Sequence, residues 1–350
     1  MSRSLTDPWT LGGVTIPNRV VLAPLAGIGN WFVRLQAKRY GAGLAVSEMV
    51  SSHAVHYGNA RTCDEMLRIH PDEHPVSVQL FGADPEVMAH AAERVAAAGA
   101  DIIDINMGCP VPKVCKTGAG AALLDDPDRA VAVARAAHRA SGLPVTVKLR
   151  TGLRPGDGKG VVLARQLAAS GDVAGLCVHP RHASQRHSGQ PDYALAAQLV
   201  QELPVPVLIS GGLRCAQLAR DAFEQTGAEA ILLARGSLGN PWLFSELIDG
   251  REGEPTRAEV LAEVDWVLDR AVEHMGEERA NRYLRKFYPW YIERLGGVRS
   301  EQAVLQSALQ QAPSTIRARE LFHVYFPAQS HAEAPECRAS GLFSVETQPV

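Results

Sequence analysis

Eight short runs of β-branched and aliphatic residues recur between residues 20 and 236, and this repetition constrains the fold more than any other feature of the chain. Each run ends in a polar or glycine-containing turn, and a longer, alanine-rich stretch of helical character usually follows. The runs cover residues 20–25, 44–50, 76–81, 102–106, 145–150, 175–179, 207–210 and 231–234. Alternating strands and helices predict a parallel sheet, and eight repeats predict a closed (β/α)8 TIM barrel.

A doubly wound open sheet is the alternative fold. Such a sheet is expected to carry the pattern Gly-x-Gly-x-x-Gly after its first strand. This chain has Pro24-Leu25-Ala26-Gly27 at that place, so the closed barrel is favoured.

Residues capable of chemistry stand at most of the predicted strand ends. In TIM barrels the active site lies at these carboxyl ends. Taken singly, each residue could be a helix cap, a solvated turn or a core residue with satisfied hydrogen bonds, but as a ring they indicate a site. In chain order the ends carry Pro24 with Ala26, Glu48, Gln79, Asn106 with Cys109, Lys148 with Arg150, His179 with Arg181, Ser210-Gly211-Gly212, and Arg235 with Gly236.

The last two strand ends indicate a phosphate-bearing ligand. Ser210-Gly211-Gly212 precedes a helix that is predicted to begin near Leu213, and Ala234-Arg235 precedes another short helix. Backbone N–H groups at a helix N-terminus bind phosphate, glycine permits close approach, and arginine adds a charged fork. Lys148, at the fifth strand end, would suit an electron-rich heterocycle beside that phosphate.

One thiol, Cys109, stands in the turn after the fourth predicted strand. Gly108 ends that strand and Pro110 prevents it from resuming, so the thiol is held at a turn. Residues 113–120 are rich in lysine and glycine and are predicted to form a mobile basic loop. A free cysteine is often only a small buried hydrophobe, but this position favours contact with a substrate.

The residues around Cys109 resemble the tRNA-dihydrouridine synthase family, and most closely its bacterial B-type branch. The resemblance rests on Asn-Met-Gly-Cys-Pro at 106–110, on Lys113-Val114, and on Ala-Gly-Ala-Ala-Leu-Leu at 119–124. It implies an enzyme that uses FMN and NADPH to reduce the C5–C6 bond of specific uridines in tRNA to 5,6-dihydrouridine. It also implies that Cys109 is the catalytic general acid, which protonates the uracil ring while a reduced flavin delivers hydride.

The resemblance covers residues 9–326 and assigns roles to further residues. It implies that Asn106, Arg150 and Arg181 bind the substrate in the barrel. It implies that the cofactor is bound by Pro24, Leu25, Ala26, Gln79, Lys148, His179, Ser210, Gly211, Gly212, Ala234 and Arg235.

This chain departs from the family pattern in three places. Ser210-Gly211-Gly212 replaces Asn-Gly-Asp, which removes an acidic side chain near the flavin. Residues 29–32, Gly-Asn-Trp-Phe, replace Thr-Asp-Arg-Pro, and His182-Ala183 replaces Thr-Arg. These departures bear on hydrogen bonds to the flavin and on RNA contacts, but they leave Cys109 and Lys148 unchanged.

The sequence pattern changes after the eighth repeat. Residues 249–255 form a polar linker, and residues 257–326 show only helical patterns. We predict a catalytic domain over 1–248, a helical domain over 255–328, and a disordered tail over 329–350.

One predicted helix of this second domain, over residues 278–288, places Tyr283 and Phe287 on one face and several cations on another. Spacing alone is equally typical of a solvated face over an aromatic core. The resemblance implies instead that Arg282, Arg285 and Lys286 bind tRNA.

Composition excludes several classes of protein. The net charge of −3 argues against a general nucleic-acid coat, so any RNA site must be a local basic patch. No apolar run is long enough to span a bilayer, and the N-terminus lacks the apolar core of a signal peptide. The six cysteines are scattered singly, so we expect reduced thiols, a cytoplasmic protein, no metal site and no obligate protein partner. His179, His182 and His187 lack a suitably spaced carboxylate for metal binding.

Two other functions remain open on the sequence. The first is an FMN-dependent barrel that acts on a free pyrimidine or an enone, which would have no use for a basic helical domain. The second is a non-redox RNA-binding module on a barrel scaffold, which only the altered Ser210-Gly211-Gly212 turn favours. Bound yellow flavin would separate the second from the others.

Overall fold

The polar linker after the eighth repeat contains the boundary between two compact units of the chain, Met1–Glu252 and Gly253–Val350. The computed structural model describes residues 3–326 of these units. The predicted disordered tail, residues 329–350, lies outside the described residues.

An antiparallel hairpin precedes the barrel and closes the end at which the barrel strands begin. It consists of β1 (Trp9–Leu11) and β2 (Val14–Ile16). Leu11 and Ile16 are buried and pack with interior barrel residues. The hairpin turn fits closely, since a Cβ atom on Gly12 would lie 2.4 Å from the Cβ of Pro144, which directly precedes a barrel strand.

Eight parallel strands close into a barrel, and the predicted TIM barrel is therefore confirmed. The last strand pairs with the first, which excludes the open sheet. The apolar side chains of the strands form the barrel core. The strands are β3 (Val20–Leu22), β4 (Leu44–Ser51), β5 (Val76–Phe81), β6 (Ile102–Met107), β7 (Val145–Arg150), β8 (Gly175–His179), β9 (Val207–Ser210) and β10 (Ala230–Leu233).

Helices follow the strands around the outside of the barrel. Aspartates cap several of them as their sequence context predicts: Asp84 Oδ1 accepts the N–H groups of Glu86 and Val87 at 2.9 and 3.1 Å. The helices of this unit are α1 (Trp31–Arg39), α2 (Ser52–His56), α3 (Pro85–Ala97), α4 (Pro112–Cys115), α5 (Pro127–Ser141), α6 (Lys159–Ser170), α7 (Tyr193–Glu202), α8 (Ala216–Thr226) and α9 (Trp242–Ile248).

Two predicted boundaries in the barrel are wrong. The first barrel strand ends at Leu22 instead of residue 25, because the carbonyl of Leu25 accepts the N–H groups of Ile28 and Gly29 in a tight turn. The helix predicted to begin near Leu213 begins at Ala216, after an extended residue at its N-cap.

Two segments that we predicted as loops contain short helices. Residues 53–74 hold most of α2, a π-helical turn at Thr62–Met66 and a 3-10 turn at Pro71–Glu73. The segment after Cys109 forms α4 and then a 3-10 helix, Gly120–Asp125.

The second unit is helical, as predicted, but the helix predicted over 278–288 is wrong. Two helices occupy this segment, with a turn at residues 285–287 between them. Pro289 lies in the first turn of the second helix, where its missing N–H is tolerated, and it prevents the first helix from continuing. The helices are α10 (Arg257–Met275), α11 (Glu277–Leu284), α12 (Tyr288–Leu295), α13 (Arg299–Gln311) and α14 (Thr315–Tyr325).

The sequence had led us to expect that all the cysteines are reduced thiols, and this expectation is wrong. Cys63, Cys109, Cys115 and Cys177 are free, whereas Cys215 is disulfide-bonded. Within residues 3–326 no helix is both long and apolar enough to cross a bilayer. The same residues contain no cluster of three His, Cys, Asp or Glu side chains that could hold a metal ion.

Candidate active site

The turn that carries Cys109 is held by the side chain of Asn106, which is buried at the end of β6. Asn106 Oδ1 accepts the backbone N–H groups of Gly108 and Cys109 at 3.2 and 2.9 Å. The carbonyl of Cys109 accepts the N–H of Ala121 at 3.0 Å and the thiol of Cys115 at 3.4 Å. The predicted catalytic residue therefore stands on a turn that side-chain and backbone hydrogen bonds hold in place.

The Cys109 thiol is half-buried, and this environment keeps it protonated. Burial is the largest influence and raises the pKa of Cys109 above its ordinary value, against the opposing effects of a hydrogen bond with the Val111 backbone and of the Arg150 and Lys148 charges. A protonated thiol can donate a proton, whereas a nucleophilic cysteine needs a lowered pKa. The thiol is therefore suited to hold a proton, and its expected role as general acid stays a prediction.

Arg150 joins the Cys109 turn to the loop after β8. Its Nε donates to the carbonyl of Gly108 at 2.9 Å, and its Nη1 donates to the carbonyls of His182 and Arg186 at 3.2 and 2.8 Å. The loop after β8 adopts an unusual backbone at Arg186, which has a φ of 52°. These contacts position the two loops, and the expected contact of Arg150 with substrate stays a prediction.

Lys148 lies next to Asn106 and Cys177 in the strand register, at the carboxyl end of β7. No hydrogen bond or ion pair of its ammonium group is found among the described residues. Its charge is felt by the neighbouring groups, since it lowers the pKa values of His179 and His187. Lys148 is thus an unpaired cation that faces the barrel mouth.

His179 is buried and neutral. Burial, together with the charges of Lys148, Arg150 and Arg181, holds the pKa of His179 far below its ordinary value. Arg181 Nη1 lies 3.1 Å from His179 Nε2, so Nε2 acts as the acceptor and the ring proton is assigned to Nδ1. Arg181 Nη2 also donates to the carbonyl of Gly189 at 2.7 Å.

The Ser210-Gly211-Gly212 turn requires glycine in this barrel. Gly211 has a φ of 101°, and a Cβ atom there would lie 2.6 Å from His179 Nε2. Gly212 has a φ of 85°, and its Cβ would lie 2.8 Å from the hydroxyl of Tyr193. The tight packing against Tyr193 thus explains Gly212, which replaces the family's Asp, whereas Gly211 matches the family pattern.

The next loop brings two arginines together at this rim. Gly236 packs against the backbone of Arg214, with a Cβ position only 2.9 Å from its Cα. Arg214 and Arg235 are close enough for Arg214 to lower the pKa of Arg235, after the larger effect of burial. Neither guanidinium has a hydrogen-bond or ion-pair partner among the described residues. Arg214 was not predicted as a site residue, although it follows a glycine-containing turn in the sequence.

The first strand end contributes backbone to the mouth. Pro24 and Ala26 are partly or fully exposed there, and Leu25 is buried beneath them. The N–H of Gly27 donates to Glu48 Oε2 at 2.7 Å, which joins this turn to the end of β4.

A buried ion pair supports the same turn. Arg34 Nε lies 2.6 Å from Glu73 Oε2, and both side chains are almost fully buried. Arg34 Nη1 donates to the carbonyl of Gly29 at 3.1 Å, and that carbonyl also accepts the N–H of Glu48. Glycine is needed at position 29, because a Cβ would lie 2.9 Å from the Glu48 nitrogen. Asn30 caps α1, so the altered residues 29–32 serve local structure.

The mouth fits an anionic ligand. Its cations have no carboxylate partner among the described residues, and a buried charge of this kind is stabilised by an anion. Arg181 Nε is buried without a hydrogen-bond partner, which is a further donor available to a ligand.

Comparison with known proteins identifies the family. A model of the dihydrouridine synthase family matches residues 21–324. The chain is 39% identical over 320 residues to tRNA-dihydrouridine synthase B of Pseudomonas aeruginosa, covering 89% of this chain and 95% of that protein. It is 34% identical over 319 residues to a probable tRNA-dihydrouridine synthase 1 of Synechocystis, covering 90% of this chain and 88% of that protein. The chain belongs to the dihydrouridine synthase family.

Solved structures agree with the fold of this dihydrouridine synthase family member. Morphinone reductase in complex with tetrahydroNAD superimposes with a TM-score of 0.52 and 16% identity, over 74% of this chain and 94% of that one. A 2-naphthoyl-CoA reductase complex superimposes with a TM-score of 0.58 and 12% identity, over 72% of this chain and 53% of that one. At these identities the likeness concerns the barrel fold alone.

The cations that the family resemblance assigned to tRNA lie at the end of α11 and in the turn after it. Arg282 is exposed and pairs with Glu278 at 2.8 Å. Lys286 Nζ lies 3.8 Å from the centroid of the Tyr283 ring, so these two residues share one surface instead of lying on opposite faces. Arg285 is half-buried, and its Nε has no hydrogen-bond partner.

Proposed function

We propose that this family member reduces the C5–C6 bond of a uridine in tRNA to 5,6-dihydrouridine, with FMN as cofactor and NADPH as reductant. The observation that carries the proposal is the half-buried, protonated thiol of Cys109 on a fixed turn beside an unpaired cationic mouth. Family membership supports the substrate class, and the positions of the residues at the barrel mouth are consistent with the roles proposed for them.

The cofactor residues form two groups. Arg235, with the backbone of Ala234 and of the Ser210-Gly211-Gly212 turn, would bind the FMN phosphate, because glycine backbone and guanidinium groups suit a dianion. Lys148 and His179 would hold the ring system, over the backbone of Pro24, Leu25 and Ala26, with Gln79 at the base of the mouth. A cation at the pyrimidine edge of a flavin stabilises its reduced anionic form.

The proton comes from the protein. When bound, the reduced flavin supplies the hydride that adds to C6 of the uracil ring. Cys109 holds a proton on Sγ and donates it to C5, so that one hydride and one proton saturate the C5–C6 bond. Asn106 and Arg150 hold the turn on which the thiol stands. Arg181, with two donors already used inside the protein, offers its remaining N–H groups to the ligand.

The target base has to leave its stacked position before it reaches the mouth. Enzymes that act on a base commonly extrude it into a pocket and hold the surrounding backbone through cations. We assign the second task to the helical domain, residues 255–328, through Arg282, Arg285 and Lys286, and the chemistry to residues 1–248. A cytoplasmic location follows from a tRNA substrate.

The decisive experiment supplies the purified protein and NADPH with unmodified tRNA, and separately with free uridine. Dihydrouridine in tRNA is measured by mass spectrometry of nuclease digests. We expect yellow protein that contains FMN and forms dihydrouridine in tRNA only. Product from free uridine alone would favour the free-pyrimidine reductase, and a colourless protein that cannot be reconstituted with FMN would rule out the proposed function.

A further inference from the structure

A line of side-chain hydrogen bonds connects the barrel interior with the turn that carries Cys109. Gln79 Nε2 donates to Asp104 Oδ2 at 2.6 Å, and Asn106 Nδ2 donates to Gln79 Oε1 at 3.0 Å. Asn106 Oδ1 in turn accepts the backbone N–H of Cys109 at 2.9 Å. The side chains of Asp104, Gln79 and Asn106 are all buried, so water does not substitute freely for these partners.

The far end of this line dictates the direction of both amides. A backbone N–H can only donate, so Asn106 has to present its oxygen to the Cys109 turn and its Nδ2 to Gln79. Gln79 must then present Oε1 to Asn106 and Nε2 to Asp104. Asp104 Oδ2 is therefore required as an acceptor. Its second oxygen, Oδ1, accepts the hydroxyl of Thr146 at 2.6 Å, and a hydroxyl can donate or accept.

We infer that Asp104 is a positioning residue, a fixed acceptor that orients Gln79 and Asn106 and thereby holds the Cys109 turn at the barrel mouth. Asp104 acts only through these neighbours. Its effect on catalysis rests on the proposed role of Cys109 as general acid, but its effect on the turn can be measured independently of that role.

The charge of Asp104 provides a second test of this inference, through pH. Burial raises the pKa of Asp104 to about 6, although its bonds from Thr146 and Gln79 and the charge of Lys148 act in the opposite direction. Among the described residues, Lys148 on β7 and the Cys177 thiol on β8 are the charged or titratable groups that interact electrostatically with this carboxyl. An ionised acceptor makes the stronger hydrogen bond. Order in the Cys109 turn should therefore fall as the pH is lowered through about 6.

Hydrogen–deuterium exchange of the segment that contains Gly108 and Cys109 measures this order in the protein as purified. Pro110 has no N–H, so the signal comes from few amides. Asp104→Leu removes the acceptor of Gln79, Gln79→Met removes both hydrogen bonds of that side chain, and each variant should accelerate exchange of this segment about tenfold. Thr146→Val removes only the hydrogen bond to Asp104 Oδ1, which lies outside the line to Cys109, and should leave the exchange unchanged. Asp104→Asn keeps an oxygen acceptor for Gln79 and should retain protection but lose its pH dependence.

The results separate this inference from the proposed function. Wild-type exchange in a folded Asp104→Leu protein would overturn the inference, and Gln79→Met decides the question if Asp104→Leu does not fold. If protection of this segment against exchange depends on pH in Asp104→Asn as it does in the wild type, the carboxyl does not control the turn. Dihydrouridine formation is measured in parallel. Faster exchange without any loss of product formation would support the positioning role and contradict the role of Cys109.

Discussion

The barrel mouth and the helical unit both carry several cations, but they differ in whether carboxylates pair with those cations. The mouth cations range from buried (Arg150 and Arg181) to exposed (Arg214 and Arg235), and no carboxylate pairs with them among the described residues. They are Lys148, Arg150, Arg181, Arg214 and Arg235. In the helical unit, exposed arginines lie in ion pairs, such as Arg282 with Glu278, Arg317 with Glu320, and Arg319 with Asp265.

The difference separates a formed binding site from a general surface. A buried cation without a partner is unfavourable until an anion arrives, so the mouth is prepared for a specific ligand. An exposed ion pair contributes little and is screened by salt. An RNA phosphate at the helical unit has to compete with an acidic side chain, and its binding should be weaker and more sensitive to salt.

The largest expected effect tests whether the Cys109 thiol serves the chemical step while the cations of the mouth serve binding. Cys109→Ala should lower the rate of dihydrouridine formation by about 10²–10⁴, the usual contribution of a general acid. Flavin content and NADPH oxidation should stay unchanged, because the cations remain. Cys115→Ala is the matched control, since this thiol only donates to the Cys109 carbonyl. An unchanged rate in Cys109→Ala would remove the thiol from the mechanism.

The second prediction concerns a buried cation that does have a partner. Arg34→Met leaves Glu73 as an uncompensated buried charge and should lower the free energy of unfolding by about 3–5 kcal/mol. Chemical denaturation measures the change. Arg165→Met, which removes an exposed partner of Glu202, should leave it nearly unchanged. Equal stability of both variants would mean that burial does not distinguish these pairs.

The third prediction tests Arg235, a cation at the rim of the mouth without an ion-pair partner among the described residues. Arg235→Ala should weaken FMN binding by about 10- to 100-fold, because a hydrogen bond to a charged group contributes ~1.5–3 kcal/mol. Riboflavin binding should change little, since riboflavin lacks the phosphate. Flavin fluorescence titration measures both. An equal loss for the two ligands would place Arg235 at the ring instead of the phosphate.

The smallest effect belongs to the helical unit. Arg285→Ala/Lys286→Ala should weaken tRNA binding, and each lost phosphate contact should lower the salt slope by roughly one unit. Glu278→Gln should slightly strengthen binding, because it releases Arg282 from its ion pair. Filter binding across a salt series measures both variants. If neither variant changes the slope, tRNA is held elsewhere and these cations are only a solvated surface.

The sequence predicted the barrel and most strand ends because both depend on local signals. Apolar runs and turn residues locate the strands, and closure of the barrel then brings Gln79, Lys148 and His179 to one end. The helix wrongly predicted over 278–288 could also have been divided on a local signal, since Pro289 marks the start of a new helix.

The rest of the site depends on contacts between distant residues. Gln79 and Asp104 are partners in the strand register, which no local pattern reports. The fit of Gly211 against His179, and the closeness of Arg214 to Arg235, likewise appear only after the barrel closes.

The hairpin at the start of the barrel strands has a consequence for the order of events. Because β1 and β2 pack against the end at which the barrel strands begin, ligands are expected to reach the barrel from the opposite end, where the strands finish. In the proposed reaction, NADPH and the uridine must therefore occupy one entrance in turn. Steady-state rates should then show parallel lines in double-reciprocal plots, and a high concentration of either substrate should inhibit by competing with the other for the entrance.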